Sequence, residues 1–250
     1  MASTSEIGHS NNVANFNTLI SRLQGYGARY NPTNPALKII SLQSVNTSAG
    51  SAMTLVSAKK PAFTTDTNIR QQLFADMEKL STRIMNAFSS TQNVTVALTN
   101  DAKTIIRKIR GARKNKIKVP PVTSGENPPE TPLQISASQQ SYDQQVEHFT
   151  NLISLVASVP GYIPNETELQ NASLNTFLTS LKNANAAMVN STTPYLGALQ
   201  NRNNILYSDN TGLVDLALAV KKYVKSVKTI TLAEYRQISG LKFTRLRKKK

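Results

Sequence analysis

The sequence predicts an all-α protein: an internally duplicated helical bundle with about four helices per copy, the copies joined by a Pro-rich linker. Three observations lead there. Val13, Phe16, Ile20 and Leu23 recur at steps of three and four, which places them on one face of a helix. The same steps return in Val146, Phe149, Ile153 and Val156, each 133 residues later. No stretch alternates apolar and polar residues for long enough to read as a strand, so sheet content should be small.

In chain order, apolar periodicity predicts helices near residues 10–26, 35–58, 62–89 and 93–113, then 139–158, 166–189, 192–207 and 212–227, with a short one near 232–238. Asn34 before Pro35 reads as an N-cap followed by a proline at the first helical position, where the missing N–H loses nothing. Asn165 with Glu168, and Thr231 with Glu234, have the spacing of a capping box. Pro120, Pro121, Pro128, Pro129 and Pro132 lie with Gly125 in a stretch that no helix should cross. The expected organisation is a first helical repeat over 1–114, a linker over 115–137, a second repeat over 138–240 and a basic tail over 241–250.

The copies match well beyond their first helices. Tyr30-Asn31-Pro32 is answered by Tyr162-Ile163-Pro164, Leu37 by Leu169, Leu42 by Leu174, Val45 by Phe177 and Arg70 by Arg202, all at an offset of 132. A near-constant offset over so many positions points to duplication. A copy so rich in Asn and Ser has little apolar surplus, which favours packing of the halves against each other.

Composition removes several classes of function. There is no Cys, so disulfides and thiolate metal sites are excluded. The opening MASTSEIGHS lacks the regions of a secretory signal, which predicts a cytoplasmic protein and leaves the Asn-x-Ser/Thr sequences at Asn46, Asn93, Asn165, Asn171 and Asn190 without a glycosylation role. The longest apolar run, Leu152 to Val159, is far short of a membrane span.

Charge is the informative property. The net +15 is held in two places: Ala102 to Lys118 has eight basic residues and no acid, and Lys221 to Lys250 has eleven against the single acid Glu234. Those stretches together hold +18, so the rest of the chain sums to −3. On a helical wheel Val94, Leu98, Ala102, Ile105 and Ile109 share one face while Lys103, Arg107, Arg110 and Lys114 cluster opposite, giving a core face and a cationic back. TGLVDLALAVKKYVKSVK repeats the arrangement less cleanly. Arg107-Lys108-Ile109-Arg110-Gly111 also matches Arg236-Gln237-Ile238-Ser239-Gly240 at an offset of 129, which would make the two basic ends equivalent.

A polyanion is the simplest partner, bound without sequence preference and weakened by salt as condensed counterions are released. The candidate contacts for nucleic acid, DNA or RNA, are Lys103, Arg107, Lys108, Arg110, Arg113 and Lys114, then Lys221, Lys222, Lys225 and Lys228, then Arg245, Arg247, Lys248, Lys249 and Lys250 in the tail. Tyr223, Tyr235 and Phe243 interleave with the second set and could stack on bases, although their spacing reads first as core packing. Two other partners fit a basic amphipathic helix: an anionic membrane surface, or an acidic patch on a neighbouring subunit of a homo-oligomer or larger assembly.

No catalytic constellation emerges. The only histidines are His9, in an expected N-terminal tail, and His148, beside core-facing Phe149. Neither a P-loop nor a dinucleotide fingerprint occurs, and Asp76/Glu78 and Glu166/Glu168 are two apart, pointing away from each other on a helix. The sequence therefore predicts a non-enzymatic protein without cofactor or metal.

Tyr30-Asn31-Pro32, Tyr162-Ile163-Pro164, Leu206-Tyr207 followed by TGLVDLALAVKKYVKSV, and the ending QISGLKF together resemble a group of internally repeated helical proteins of Bacteroidota with no established activity. The resemblance implies the repeat and the helical class, and assigns no functional residue.

Overall fold

The computed structural model describes residues 4–111 and 141–245, so the expected linker 115–137 lies outside the described residues. The described residues form seven α-helices and no strand: α1 (Thr4–Gly25), α2 (Ile39–Ser89), α3 (Val96–Ile109), α4 (Tyr142–Ala157), α5 (Asn171–Tyr207), α6 (Leu213–Ser226) and α7 (Leu232–Ser239). Among them no helix is long and apolar enough to cross a membrane.

Two helices replace four of those expected. The segments 35–58 and 62–89 are one helix, α2, with Pro61 inside it, and 166–189 and 192–207 are one helix, α5, with Pro194 inside it. Each proline lacks the N–H that would bond four residues back, a loss of about 3 kcal/mol in an isolated helix. Packing along α2 and α5 on both sides of the prolines outweighs it: Val56 and Phe74 flank Pro61 and are buried, as are Met188 and Ala198 around Pro194.

Helix starts follow side-chain chemistry. Thr95 and Ser141 cap α3 and α4 by accepting the N–H of Leu98 and Gln144, both at 3.2 Å. Thr231 and Glu234 form the expected capping box on α7. Asn34 accepts the Ala36 N–H at 3.0 Å, but the turn it starts, Pro35–Leu37, is a single 3-10 turn, and α2 begins only at Ile39. Asn165 is not a cap: Glu166 occupies that position before the matching 3-10 turn Thr167–Leu169 and makes no side-chain bond to it. Glu168 instead pairs with Arg83.

The chain divides into two compact units, one from residues 1–64 and 191–250, the other from 65–190. That partition differs from the successive repeats 1–114 and 138–240, because α2 and α5 each supply residues to both units.

In unit 1, α1 brings Phe16, Leu19 and Leu23 against Leu42 and Ala49 of α2, Leu206 of α5, Val220 and Val224 of α6, and Ile238 of α7. Tyr30 is buried and donates its hydroxyl to the Leu37 carbonyl at 2.7 Å. In unit 2, α4 brings Phe149, Leu152 and Val156 against Phe74, Met77, Ile84 and Phe88 of α2, Ala102, Ile106 and Ile109 of α3, and Leu174 and Leu181 of α5. Tyr162 is buried and donates to the Leu169 carbonyl at 3.2 Å. Each fully buried Phe in these cores stabilises by about 1.5–3 kcal/mol relative to exposure.

The turn into α6 requires glycine. A Cβ on Gly212 would lie 2.6 Å from the Ser208 amide nitrogen, 2.7 Å from its carbonyl oxygen and 2.9 Å from the Tyr207 carbonyl carbon, all backbone atoms that would have to yield. Two residues earlier Asn210 takes the left-handed conformation at φ 64°, as Asn93 does at φ 67° before α3, a region that Asn enters more readily than most residues.

Candidate nucleic-acid interface

The first cationic stretch is built on α3, in unit 2. Thr95 starts the helix, Arg107 and Lys108 sit in its last turn, where positive charge suits the exposed carbonyls, and Gly111 follows in the left-handed conformation at φ 65°. Ala102, Ile106 and Ile109 are buried against α4. Ile106, which the wheel reading left out, is buried more deeply than Ile105.

Lys103, Arg107, Lys108 and Arg110 are all exposed. Steps of four and three keep Lys103, Arg107 and Arg110 within about 60° of one another, over about 10.5 Å of helix axis. Arg110 also donates to the Thr82 hydroxyl on α2, which orients its guanidinium. Behind this face His148 of α4 is buried, and its Nε2 has no hydrogen-bond partner. Burial holds that imidazole below its usual pKa, and the Lys108 charge adds to the effect against the weaker pull of Glu147. Arg113 and Lys114 lie outside the described residues.

The second stretch belongs to unit 1 and is used differently. Lys222, Lys225 and Lys228 are exposed on or just after α6. Lys221 is half-buried: its ammonium donates to the Ser239 carbonyl at 3.2 Å and to the Leu241 carbonyl, and it sits 5.1 Å from the centre of the Phe243 ring. Burial holds its pKa below the usual lysine value. Arg245 is ion-paired with Asp215 at 2.6 Å. Arg247, Lys248, Lys249 and Lys250 lie outside the described residues.

The aromatics of this region pack inward. Tyr223 meets Tyr30 edge to face at 5.4 Å between ring centres, and Tyr235 and Phe243 lie partly buried against the unit 1 core. His9 is also no tail residue: it is buried in α1, with Nδ1 2.6 Å from the Tyr207 hydroxyl.

A groove of about 600 Å³ in unit 2, lined in part by Arg83, Asn86, Thr91, Tyr162 and Glu166, offers no comparable charge, since its one cation, Arg83, is paired with Glu168. The groups that sequence reasoning missed are Asp215, Thr82 and the Asn12 and Asn15 side chains that reach the C-terminal stretch. No local signal could have found them, because each partner is distant in the chain, 28 residues away for Thr82 and Arg110 and 232 for Asn12 and Thr244.

No protein-family model matches this sequence, and neither the curated proteins nor the solved structures contain a match to it.

Proposed function

We propose that this chain is a cytoplasmic, non-enzymatic basic helical protein that binds a polyanion, nucleic acid above all, without sequence specificity. The observation that carries the reading is the row Lys103, Arg107 and Arg110, exposed on a helix whose opposite face is buried. Arg can fork onto two phosphate oxygens, whereas Lys supplies a point charge, so the row suits a phosphate backbone. Lys222, Lys225 and Lys228 would form a second contact. Titration against mixed-sequence DNA and RNA at two salt concentrations tests this: binding should be tight in dilute buffer and fall steeply with salt, and failure to bind either polymer in dilute buffer refutes it.

We also infer that the chain is an internal duplication, α1–α3 and α4–α6, in which each copy's third helix packs on the other copy's first. The support is a set of matched environments. Phe16 and Phe149, Leu42 and Leu174, and Ala49 and Leu181 are each 0% exposed, and the buried Tyr30 and Tyr162 each bond the carbonyl seven residues on. α3 packs on α4 and α6 on α1. Both third helices have 14 residues and follow a left-handed Asn. Matching the buried Ala102 and Ile106 to the buried Val220 and Val224, one residue off the match of the helix starts, sets Lys103 against Lys221 and Arg107 against Lys225, whereas the offset of 129 would pair the end of α3 with the shorter α7.

A second reading is a self-assembling structural subunit whose basic regions meet acidic protein surfaces. It draws on the exposed apolar side chains Leu55, Ile69, Val189 and Leu196 of α2 and α5. Concentration-dependent oligomers formed without nucleic acid would favour it.

A further inference from the structure

Residues 241–245 belong to no helix, yet α1 holds Lys242 and Thr244 and α6 holds Leu241 and Arg245. Asn12, 1% exposed, holds Thr244 from both sides: its Nδ2 donates to the Thr244 carbonyl at 2.8 Å and its Oδ1 accepts the Thr244 N–H at 2.9 Å. Asn15 donates to the Lys242 carbonyl at 2.8 Å, and Lys221 donates to the Leu241 carbonyl. The grip ends at Arg245, whose guanidinium donates to Asp215 Oδ1. Asp215 is itself fixed, since its Oδ2 accepts the Asn210 N–H at 3.0 Å. Its side chain is 19% exposed, against 67% for Glu168 in the Arg83 pair.

We propose that this strap is autoinhibitory: Asp215 stands in for a phosphate at Arg245, and the Asn12 clamp on the neighbouring residue keeps the guanidinium there. Asp215 takes one Nη2 proton and offsets the Arg245 charge, so a polyanion engages the whole guanidinium fork only by displacing Asp215. Lys221 is withheld in the same way, because its protons already serve the Ser239 carbonyl at the end of α7 and the Leu241 carbonyl of the strap. Its counterpart on α3, Lys103, is exposed. The strap thus makes unit 1 the weaker grip at rest. This inference rests on the polyanion reading above.

The test compares Asp215→Asn with Asp209→Asn in the full chain, titrated with a mixed-sequence DNA duplex. Both variants remove one acid, but only the first releases Arg245, since Asp209 is exposed and the ion pair of Arg245 is with Asp215. Asp215→Asn should bind about two- to fivefold more tightly than Asp209→Asn in dilute salt, and its salt slope should steepen by about 0.9, one phosphate contact. Should Asp215→Asn fold poorly, Arg245→Gln gives the answer in the native background: it should weaken binding less than Arg107→Gln does. Hydrogen exchange should find the Thr244 amide protected in the free protein. Equal affinities for the two Asp variants, equal losses for the two Arg variants, or a freely exchanging Thr244 amide each overturn the strap and leave the polyanion reading standing. No binding by the native protein overturns both.

Discussion

Replacing Lys103, Arg107 and Arg110 together with Gln should flatten the salt dependence of nucleic-acid binding by a calculable amount. The three side chains are exposed and span about 10.5 Å of helix axis, enough for each to meet its own phosphate on a duplex carrying one charge per about 1.7 Å. Each contact contributes about −0.9 to the slope of log K against log salt, so the variant's slope should be smaller by about 2.7. Between about 50 and 200 mM salt the native protein should therefore lose about 40-fold more affinity than the variant. Stability should change little, because Gln, Lys and Arg have similar helix propensity and Ala102, Ile106 and Ile109 stay buried. Loss of Arg107 from the last turn removes about 0.3–1 kcal/mol of favourable dipole interaction, which a thermal melt registers separately. Fluorescence anisotropy with a labelled duplex over four salt concentrations measures the slopes. An unchanged slope in a variant that melts like the native protein would show that this face does not contact phosphate.

Gly212→Ala should destabilise unit 1 by about 2–3 kcal/mol in urea denaturation, because the added Cβ meets the Ser208 and Tyr207 backbone rather than a side chain that could move. Tyr30→Phe and Tyr162→Phe should each lose about 1–2 kcal/mol, by comparable amounts, since both hydroxyls are buried on a carbonyl; a large loss at only one of them would speak against equivalent positions. Glu234 is pulled down to about 2 by its bonds from Arg29 and then from the Thr231 backbone N–H. Its folded pKa is depressed, so the contribution is complete above the unfolded carboxylate value near 4.5 and is lost as pH falls towards about 2. The melting temperature of Glu234→Gln should accordingly lie below that of the native protein at neutral pH and converge with it across that acidic window.

The parts of the fold legible in the sequence were those fixed by neighbours along the chain. The steps of three and four in α1 and α4 follow from helix geometry alone, and the Thr231–Glu234 box depends on residues three apart. The breaks expected between 58 and 62 and between 189 and 192 do not occur, because packing along α2 and α5 carries each helix through and outweighs the local penalty of Pro61 and Pro194. Asn165 and Glu168 had the spacing of a box, yet Glu168 found Arg83, 85 residues upstream. His9 read as tail because its partner, Tyr207, is 198 residues away. At the candidate site the amphipathic division of α3 was legible, since burial and charge both follow the helical period. The commitment of Lys221 and Arg245 was not, since it depends on where Leu241 and Asp215 arrive after folding.

The division of the chain also predicts an order of assembly. Unit 2 is one continuous stretch, 65–190, whereas unit 1 joins 1–64 to 191–250. Forming unit 1 first would close the whole 65–190 stretch as a loop, with an entropy term of about 4 kcal/mol that no contact within that stretch would yet offset. Forming unit 2 first removes the difficulty. The Thr67 hydroxyl lies 3.4 Å from Met188 Sδ, so folding of unit 2 brings the two ends of its own stretch together, and α2 and α5 run on from there into unit 1 without interruption. Pulse-labelled hydrogen exchange should protect amides of Ile84, Ile106 and Leu152 before those of Phe16 and Val220. Protection in the opposite order would mean that association of α1 with α6 overcomes the open-loop entropy unaided, and the two ends of the chain, rather than its middle, would then nucleate the fold.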